Sequence, residues 1–153
     1  MAIQTQTDEA QATVFTLKEA PVLSKGRFDR VVAKSEGLVA RVKVYAEGGE
    51  NTLHTHLRDD HVFLVLAGQA TFRLGKEERQ VVVNQHEGVL LPGGAYYWFQ
   101  STGDENLVMF RVGMGRRTGE DDRVGGDGLP LPGGSEKNKH VPGVPVPGKF
   151  FGA

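Results

Sequence analysis

Three of the five histidines in this 153-residue chain fall within eight positions, from His54 to His61. In a β-strand, residues i and i+2 point to the same face, so the imidazoles of His54 and His56 converge on one side of the sheet. After a turn at 57–60, His61 opens the next strand and faces the same point. Neutral imidazole is the commonest protein ligand for zinc, iron, copper and nickel. Three such donors predict a catalytic metal site; the alternative is a set of solvated loop histidines beside a charged turn.

A run of four aromatic residues, Tyr96 to Phe99, stands out in a chain that has only twelve. Strand alternation predicts that Tyr97 and Phe99 point into the interior and that Tyr96 and Trp98 point to the opposite face. For the inward pair, two interpretations stay open: an apolar pocket for a small, flat or apolar substrate, or plain core packing. For the outward pair we expect an interface, because exposed apolar patches usually mark contacts.

The elements that must position these side chains are predicted to be short β-strands. They are rich in Val, Leu, Phe and Tyr, and several alternate polar and apolar residues with period two. Many short strands at a spacing of roughly 8–12 residues indicate an antiparallel sandwich or barrel. The predicted strands are 27–34, 38–46, 61–67, 70–74, 79–83, 88–91, 96–100 and 106–114.

The glycines and prolines divide the chain into a patterned body and a tail. Ten of the 21 glycines and five of the seven prolines lie in residues 115–153. We therefore predict an N-terminal extension or strand at 1–25, a barrel at 26–114 and a Gly/Pro-rich C-terminal arm at 115–153. The arm is either a disordered extension or packed on a neighbouring subunit or across the barrel. Its two final phenylalanines, Phe150 and Phe151, favour packing.

Composition excludes several classes of protein. A net charge of −1 argues against nucleic-acid binding, which needs a basic surplus to neutralise phosphates. The absence of cysteine excludes disulfides, thiolate metal sites and thiol catalysis. The polar N-terminus lacks the apolar core of a secretory signal, and no apolar run approaches the 18 or so residues that cross a bilayer. We expect a cytoplasmic, single-domain protein with no membrane or nucleic-acid partner.

The histidine segment resembles the first motif of the cupin superfamily, G-x5-H-x-H-x(3,4)-E-x6-G. The match is in register at Gly48, His54, His56 and Gly68. The position of the motif's glutamate is held by His61. This motif is fairly specific, and the resemblance as a whole covers residues 41–112.

The second cupin motif, G-x5-P-x-G-x2-H-x3-N, is represented only by its Pro-x-Gly turn. Pro92 and Gly94 match it. The histidine position is held by Tyr97, the asparagine position by Ser101 and the first glycine position by His86. The second motif therefore supports the resemblance less than the first.

The resemblance implies an antiparallel double-stranded β-helix, also called a jelly roll or cupin barrel, and a homodimer. Cupins usually bind a metal through two histidines, a glutamate and a third histidine. This chain would instead offer His54, His56, His61 and Tyr97. Tyr97 has three open roles: a direct or water-mediated metal ligand, a protonated phenol that donates a hydrogen bond to substrate, or a core residue. Asp60 is a spare ligand candidate, and it is more simply a solvated turn residue.

The cupin fold does not name a reaction, because cupins include oxygenases, isomerases, lyases, decarboxylases and non-catalytic binders. Three neutral nitrogen donors leave more positive charge on the metal than the usual set, which favours an anionic, chelating substrate. We expect one divalent transition metal per chain, Fe(II) before Zn, Mn or Ni. The first hypothesis is a non-haem iron dioxygenase acting on a small organic molecule. The second is a metal-dependent isomerase or lyase with Tyr97 as general acid/base, and the third is a non-catalytic small-molecule binder. His86 and His140 are expected at the surface.

Overall fold

The computed structural model describes residues 9–47, 50–115 and 122–153. Its architecture is all-β and antiparallel, which confirms the predicted fold class. The strands are β1 (Pro21–Lys25), β2 (Arg27–Lys34), β3 (Leu38–Tyr45), β4 (His54–His56), β5 (Asp59–Ala67), β6 (Ala70–Leu74), β7 (Arg79–Val83), β8 (Gly88–Leu91), β9 (Tyr97–Ser101), β10 (Leu107–Gly115), β11 (Arg123–Gly125) and β12 (Val144–Phe150). A 3₁₀ turn spans Glu136–Asn138. Across the described residues, no helix has the length and apolarity to span a membrane.

Two five-stranded sheets form the barrel. Sheet I has the order β2-β3-β10-β5-β8, and sheet II has the order β11-β4-β9-β6-β7. Strands β1 and β12 pair with each other in a small third sheet. Four of the predicted strands have the same bounds in the structure: 27–34, 70–74, 79–83 and 88–91. Strand β1 lies within the predicted N-terminal extension or strand at 1–25. The sequence pattern did not predict β11 or β12, because they are short or interrupted by proline and glycine.

The core between the two sheets is aromatic. Phe63 and Phe72 are almost fully buried, and Tyr97 and Phe99 are each only 3% exposed. Their rings pack edge-to-face or tilted, with centroids of Phe63 and Phe72 5.6 Å apart and those of Phe72 and Phe99 5.0 Å apart. The inward direction predicted for Tyr97 and Phe99 is therefore confirmed.

The outward aromatics of the same run lie beneath cationic side chains. The ammonium of Lys76 lies 4.8 Å from the centre of the Tyr96 ring. The guanidinium of Arg73 lies 5.1 Å from the centre of the Trp98 ring, and the ammonium of Lys139 lies 5.7 Å from it. Cation–π contacts within the chain thus cover part of both rings.

A second apolar cluster covers the outer face of sheet I. Val42 and Val44 of β3 are fully buried there, against Leu23 of β1 and Phe151 near the C-terminus. Since side chains alternate along a strand, this places the polar residues of β3 on the opposite face, inside the barrel. The covering of the outer face therefore determines that charged side chains line the interior.

The described part of the C-terminal arm, residues 122–153, packs on the barrel of the same chain. Strand β11 pairs with β4, and β12 pairs with β1. Gly26 has a φ of +77°, and a Cβ built on it would lie 2.2 Å from the carbonyl oxygen of Pro142. Only glycine fits at this point, because it tolerates the left-handed backbone and leaves room for the arm.

Candidate functional site

His54 lies on β4, directly opposite Tyr97 of β9. Its side chain is 1% exposed, and its Nδ1–H donates a hydrogen bond of 2.7 Å to the carbonyl oxygen of Thr52. A carbonyl only accepts, so the proton is on Nδ1 and the lone pair is on Nε2. A backbone carbonyl on the far nitrogen is the usual second-sphere partner of a metal-binding histidine.

His56 also has a hydrogen-bond partner at its Nδ1, in this case the carboxylate of Asp122. Its Nδ1 lies 3.4 Å from Oδ1 of Asp122. The second oxygen of Asp122 accepts a hydrogen bond of 2.7 Å from the backbone N–H of Arg58, which orients the carboxylate. The arrangement favours a proton on Nδ1 of His56 and leaves its Nε2 as the ligating atom.

His61, the third residue of β5, approaches from sheet I. Its ring centroid lies 4.3 Å from that of His56. Its Nδ1 is 3.5 Å from the hydroxyl oxygen of Tyr97, and its Nε2 is 3.8 Å from Oδ2 of Asp59. Gly113 provides the space for the ring, since a Cβ built there would lie 3.1 Å from Cδ2 of His61.

Tyr97 completes the cluster from β9. Its ring centroid is 4.4 Å from that of His54 and 6.4 Å from that of His56. Burial raises the pKa of the Tyr97 hydroxyl to about 12, although the positive charges of Arg111 and Arg123 oppose the increase. The phenol is therefore protonated at neutral pH unless a cation binds beside it.

The three clustered histidines are neutral at pH 7. Burial is the largest cause in each case, because it disfavours the charged imidazolium. It lowers the pKa of His56 to about 4, with the charges of Arg123 and Arg111 adding to the decrease. The pKa values of His54 and His61 are likewise lowered well below 6.5. Metal ligation requires neutral imidazoles, so no proton must be removed from these rings before they bind.

The structure thus brings the four predicted ligands together in one cavity, but not around one preformed point. Within residues 9–47, 50–115 and 122–153, no three histidine or carboxylate side chains already have the arrangement of a metal site. The donor chemistry fits a metal, and joint ligation requires the side chains to adjust. The distance of 3.5 Å between Nδ1 of His61 and the Tyr97 oxygen is compatible with neighbouring ligands, since two donors at ~2.1 Å from a tetrahedral ion lie ~3.4 Å apart.

The remaining candidates lie elsewhere. Asp60 was expected in a turn, but it is the exposed second residue of β5; it accepts a hydrogen bond of 2.8 Å from the backbone N–H of Gly93 and is absent from the described cavity wall. His86 is exposed. His140 is exposed, as expected, and it also borders the cavity, where its Nδ1 is 3.0 Å from Nε of Arg27. Gly48, the first glycine of the cupin motif, lies outside the described residues.

The cavity has a volume of about 730 Å³, and its wall is more charged than the sequence indicated. Its described lining has five cationic side chains and three carboxylates, so positive charge exceeds negative by two when the histidines are neutral. The lining includes the cations Arg27, Arg41, Lys43, Arg111 and Arg123 and the carboxylates Asp29, Asp59 and Asp122. None of these was singled out from the sequence. The signal in the sequence was the alternation of polar and apolar residues along β3, but this alternation does not indicate which of the two faces points into the barrel.

Residues 41–113 match the model of a protein family described as the cupin domain, Cupin_2. A curated relative, mannose-1-phosphate guanylyltransferase 2 of Escherichia coli O157:H7, is 31% identical over 99 residues, which are 65% of this chain and 20% of that protein. The chain therefore spans about a fifth of the length of this relative.

Solved structures with the same fold are more distant in sequence. An uncharacterized conserved protein with a double-stranded beta-helix domain from Klebsiella pneumoniae has a TM-score of 0.61 at 16% identity, covering 74% of this chain and 96% of that one. KdgF from Halomonas sp. has a TM-score of 0.55 at 18% identity, covering 60% and 82%. The cupin domain of Schizosaccharomyces pombe Cnp3 has a TM-score of 0.55 at 17% identity, covering 61% and 67%. These likenesses show a shared fold.

Proposed function

We propose that this chain, whose residues 41–113 match the Cupin_2 model, is a metal-dependent enzyme acting on a small organic molecule inside the barrel. The observation that carries this proposal is the convergence of three neutral imidazoles and a buried phenol at the wall of one cavity of about 730 Å³. Cavities of 300–1,000 Å³ are the usual size of small-molecule sites.

One divalent transition metal per chain would be held by His54, His56 and His61. Thr52 and Asp122 orient the first two of these rings through their Nδ1 atoms. Tyr97 either completes the ligand set or donates a hydrogen bond to the bound substrate. Fe(II) is the favoured metal, and when bound it would supply the electron-transfer chemistry that a dioxygenase needs. Zn, Mn or Ni would supply Lewis-acid chemistry instead.

The protein's own contribution is to position the substrate and limit access of water. Phe63 and Phe99 close one side of the cavity with buried rings. His54 and Tyr97 are held by adjacent strands of sheet II, and His61 is held by sheet I, so their positions depend on backbone hydrogen bonds. Side chains held on strands keep a more precise geometry than side chains on loops.

A metal-dependent isomerase or lyase is the second candidate, and one contact favours it. The protonated hydroxyl of Tyr97 lies 3.5 Å from Nδ1 of the neutral imidazole of His61. Where His61 is not itself a metal ligand, a phenol beside its neutral imidazole can deliver a proton from Oη to substrate and recover one through the ring. Such a pair suits a reaction that moves protons without consuming oxygen.

Elemental analysis by plasma mass spectrometry tests the proposal. We expect about one metal ion per chain in the untagged protein and only trace metal in the double variant His54→Ala/His56→Ala. His86→Ala is the matched control, because His86 is exposed and outside the cavity wall; it should retain its metal.

The metal that is found separates the candidates. Iron, followed by oxygen consumption with a substrate panel, supports the dioxygenase. Zinc, manganese or nickel without oxygen uptake supports the isomerase or lyase. Equal trace metal in the wild type and the double variant overturns the proposal and leaves a non-catalytic small-molecule binder.

A further inference from the structure

Arg111 is one of the cationic residues of the cavity wall. It belongs to β10, the middle strand of sheet I, where its Cα is paired with that of Arg41 on β3 and with that of Phe63 on β5. Because β10 is hydrogen-bonded on both sides, the backbone of Arg111 is rigidly placed. Its side chain lines the cavity.

The carboxylates of the cavity wall are engaged with other groups. Asp29 forms ion pairs with both Arg41 and Lys43. Asp122 contacts His56 and the backbone N–H of Arg58, and Asp59 contacts His61.

Arg111, in contrast, has no ion pair with any carboxylate that the structure describes. Its Nε is buried and has no hydrogen-bond partner within the described residues. A buried donor without a partner is costly, so its retention calls for an explanation.

The guanidinium and the histidine cluster border the same space. A Cβ built on Gly113 would lie 3.2 Å from Nε2 of His61 and 3.8 Å from Nη2 of Arg111. Gly113 therefore lies against both groups, and its lack of a side chain leaves the room that the His61 ring occupies. Because Arg111 and the histidines line the same cavity, a small molecule bound in it can place one end at Arg111 and the other at the histidines.

We infer that Arg111 binds an anionic group of the substrate, a carboxylate or a phosphate, with the reacting part of the molecule placed at the histidine cluster. The placement of the reacting part at the histidine cluster rests on the proposed function, whereas the contact between Arg111 and the anionic group rests on the cavity alone. Guanidinium presents a planar fork of N–H donors that matches both anions. The positive excess of the cavity wall, in a chain with a net charge of −1, attracts anions to this site.

Calorimetric titration of the full-length protein with inorganic phosphate, and separately with malonate, tests the anion site. We expect saturable 1:1 binding of at least one probe to the wild type. Arg111→Gln should weaken it roughly 10- to 100-fold, the range for loss of a charge-assisted contact. Arg79→Gln is the matched control, because Arg79 is exposed on β7 and outside the cavity wall. Tighter binding of phosphate indicates a phosphorylated substrate, and tighter binding of malonate indicates a carboxylic acid.

Thermal unfolding distinguishes a binding role from a structural one. Arg111→Gln removes an unpaired cation that is repelled by Arg41 and Lys43. Its unfolding midpoint should therefore be equal to that of the wild type or higher. A large decrease in the midpoint of this variant would identify Arg111 as a structural residue and overturn the inference, as would wild-type-like probe binding by Arg111→Gln or no saturable binding by the wild type.

The same titrations on His54→Ala/His56→Ala separate this inference from the proposed function. Anion binding that persists in this variant, with equal trace metal in variant and wild type, supports the anion site while the metalloenzyme fails. Bound metal in the wild type with no Arg111-dependent anion binding overturns the anion site alone.

Discussion

Asp29 forms ion pairs with two cationic side chains of the cavity wall. One carboxylate oxygen lies 2.8 Å from Nη1 of Arg41, and the other pairs with Nζ of Lys43. Burial alone would raise the pKa of Asp29, but the charges and hydrogen bonds of Lys43 and Arg41 outweigh it and lower the pKa to about 2. Burial also lowers the pKa of Lys43, to about 8, in spite of the opposing effect of Asp29. At neutral pH the carboxylate is therefore a stabilising partner for both cations.

Asp29→Asn should reduce the free energy of unfolding at pH 7 by about 1–2 kcal/mol, because it leaves two cations unpaired. The value is below that for a fully buried pair, since the side chain of Asp29 is 35% exposed and partly screened by solvent. The folded pKa is depressed, so the stabilisation is present above the unfolded value near 4 and is lost as the pH falls through about 2. Urea unfolding between pH 2 and 7 measures this.

The difference between wild type and Asp29→Asn should therefore shrink progressively below pH 4. Asp104→Asn, at an exposed loop position, serves as control and should change stability by less than about 0.5 kcal/mol. A difference between wild type and Asp29→Asn that stays constant down to pH 2 would contradict the ion-pair interpretation.

Two asparagine side chains form hydrogen bonds with the backbone of a strand, as a neighbouring strand would. Asn51 is 2% exposed, and its amide pairs with both the carbonyl and the N–H of Phe99, at 3.1 and 3.2 Å. Asn106 pairs in the same way with the N–H and carbonyl of Leu23, at 2.7 and 3.0 Å. These amides satisfy backbone groups that would otherwise be unpaired, and Asn51 connects the loop before β4 to the strand that carries Tyr97.

Asn51→Ala should destabilise the protein by about 1–3 kcal/mol, because the buried N–H and carbonyl of Phe99 lose their partners. For a chain of this length that corresponds to a decrease in the unfolding midpoint of roughly 2–4 °C per kcal/mol, measurable by calorimetry. Asn84→Ala at an exposed turn is the control. An Asn51→Ala midpoint equal to that of the control would show that the side-chain pairing contributes nothing.

At the scale of the molecule, the C-terminal arm closes the cavity on the side of β2. Arg27 connects the arm to the barrel: its Nη2 donates to the carbonyl oxygens of Asn138 and Gly133, at 3.2 and 3.5 Å, and its Nε contacts His140. Phe151 anchors the chain end in the outer cluster of sheet I. These side chains thus attach the arm at the cavity and on the outer face, in addition to the strand pairs β11–β4 and β12–β1.

Arg27→Gln should weaken the attachment at the cavity, where the backbone hydrogen bond from Arg27 to Val141 remains, and keep the one on the outer face. We expect amide hydrogen exchange at residues 133–142 to become faster by roughly 10-fold, the effect of losing one or two charge-assisted hydrogen bonds. Exchange in β12 should stay as in the wild type. Arg30→Gln, which removes a surface ion pair with Glu19 and a cation–π contact with Phe28, is the control; equal exchange at 133–142 in both variants would show that Arg27 does not hold the arm.

A homodimer stays a prediction. The outer face of sheet I offers a surface for it, since Val62, Leu64, Leu90 and Met114 are 38–63% exposed on neighbouring strands. The expected absence of nucleic-acid and membrane partners also stays a prediction.

The fold class and the position of the candidate site could both be predicted from the residue pattern. Period-two alternation predicted the barrel strands, and the spacing of His54, His56 and His61 predicted that the three rings meet, because strand geometry controls which side chains share a face. The same alternation correctly directed Tyr97 inward.

Which face of β2 and β3 points into the barrel depends instead on the packing of distant elements. Alternation separates Arg41 and Lys43 from Val42 and Val44, but it does not say which set meets the cavity. That depends on β1 and the C-terminal Phe151, which cover the valines. The partner of His56, Asp122, is likewise 66 residues away. Contacts over such distances arise from the packing of whole elements, and no local pattern encodes them; for this reason the cationic lining, and Arg111 with it, emerged only from the fold.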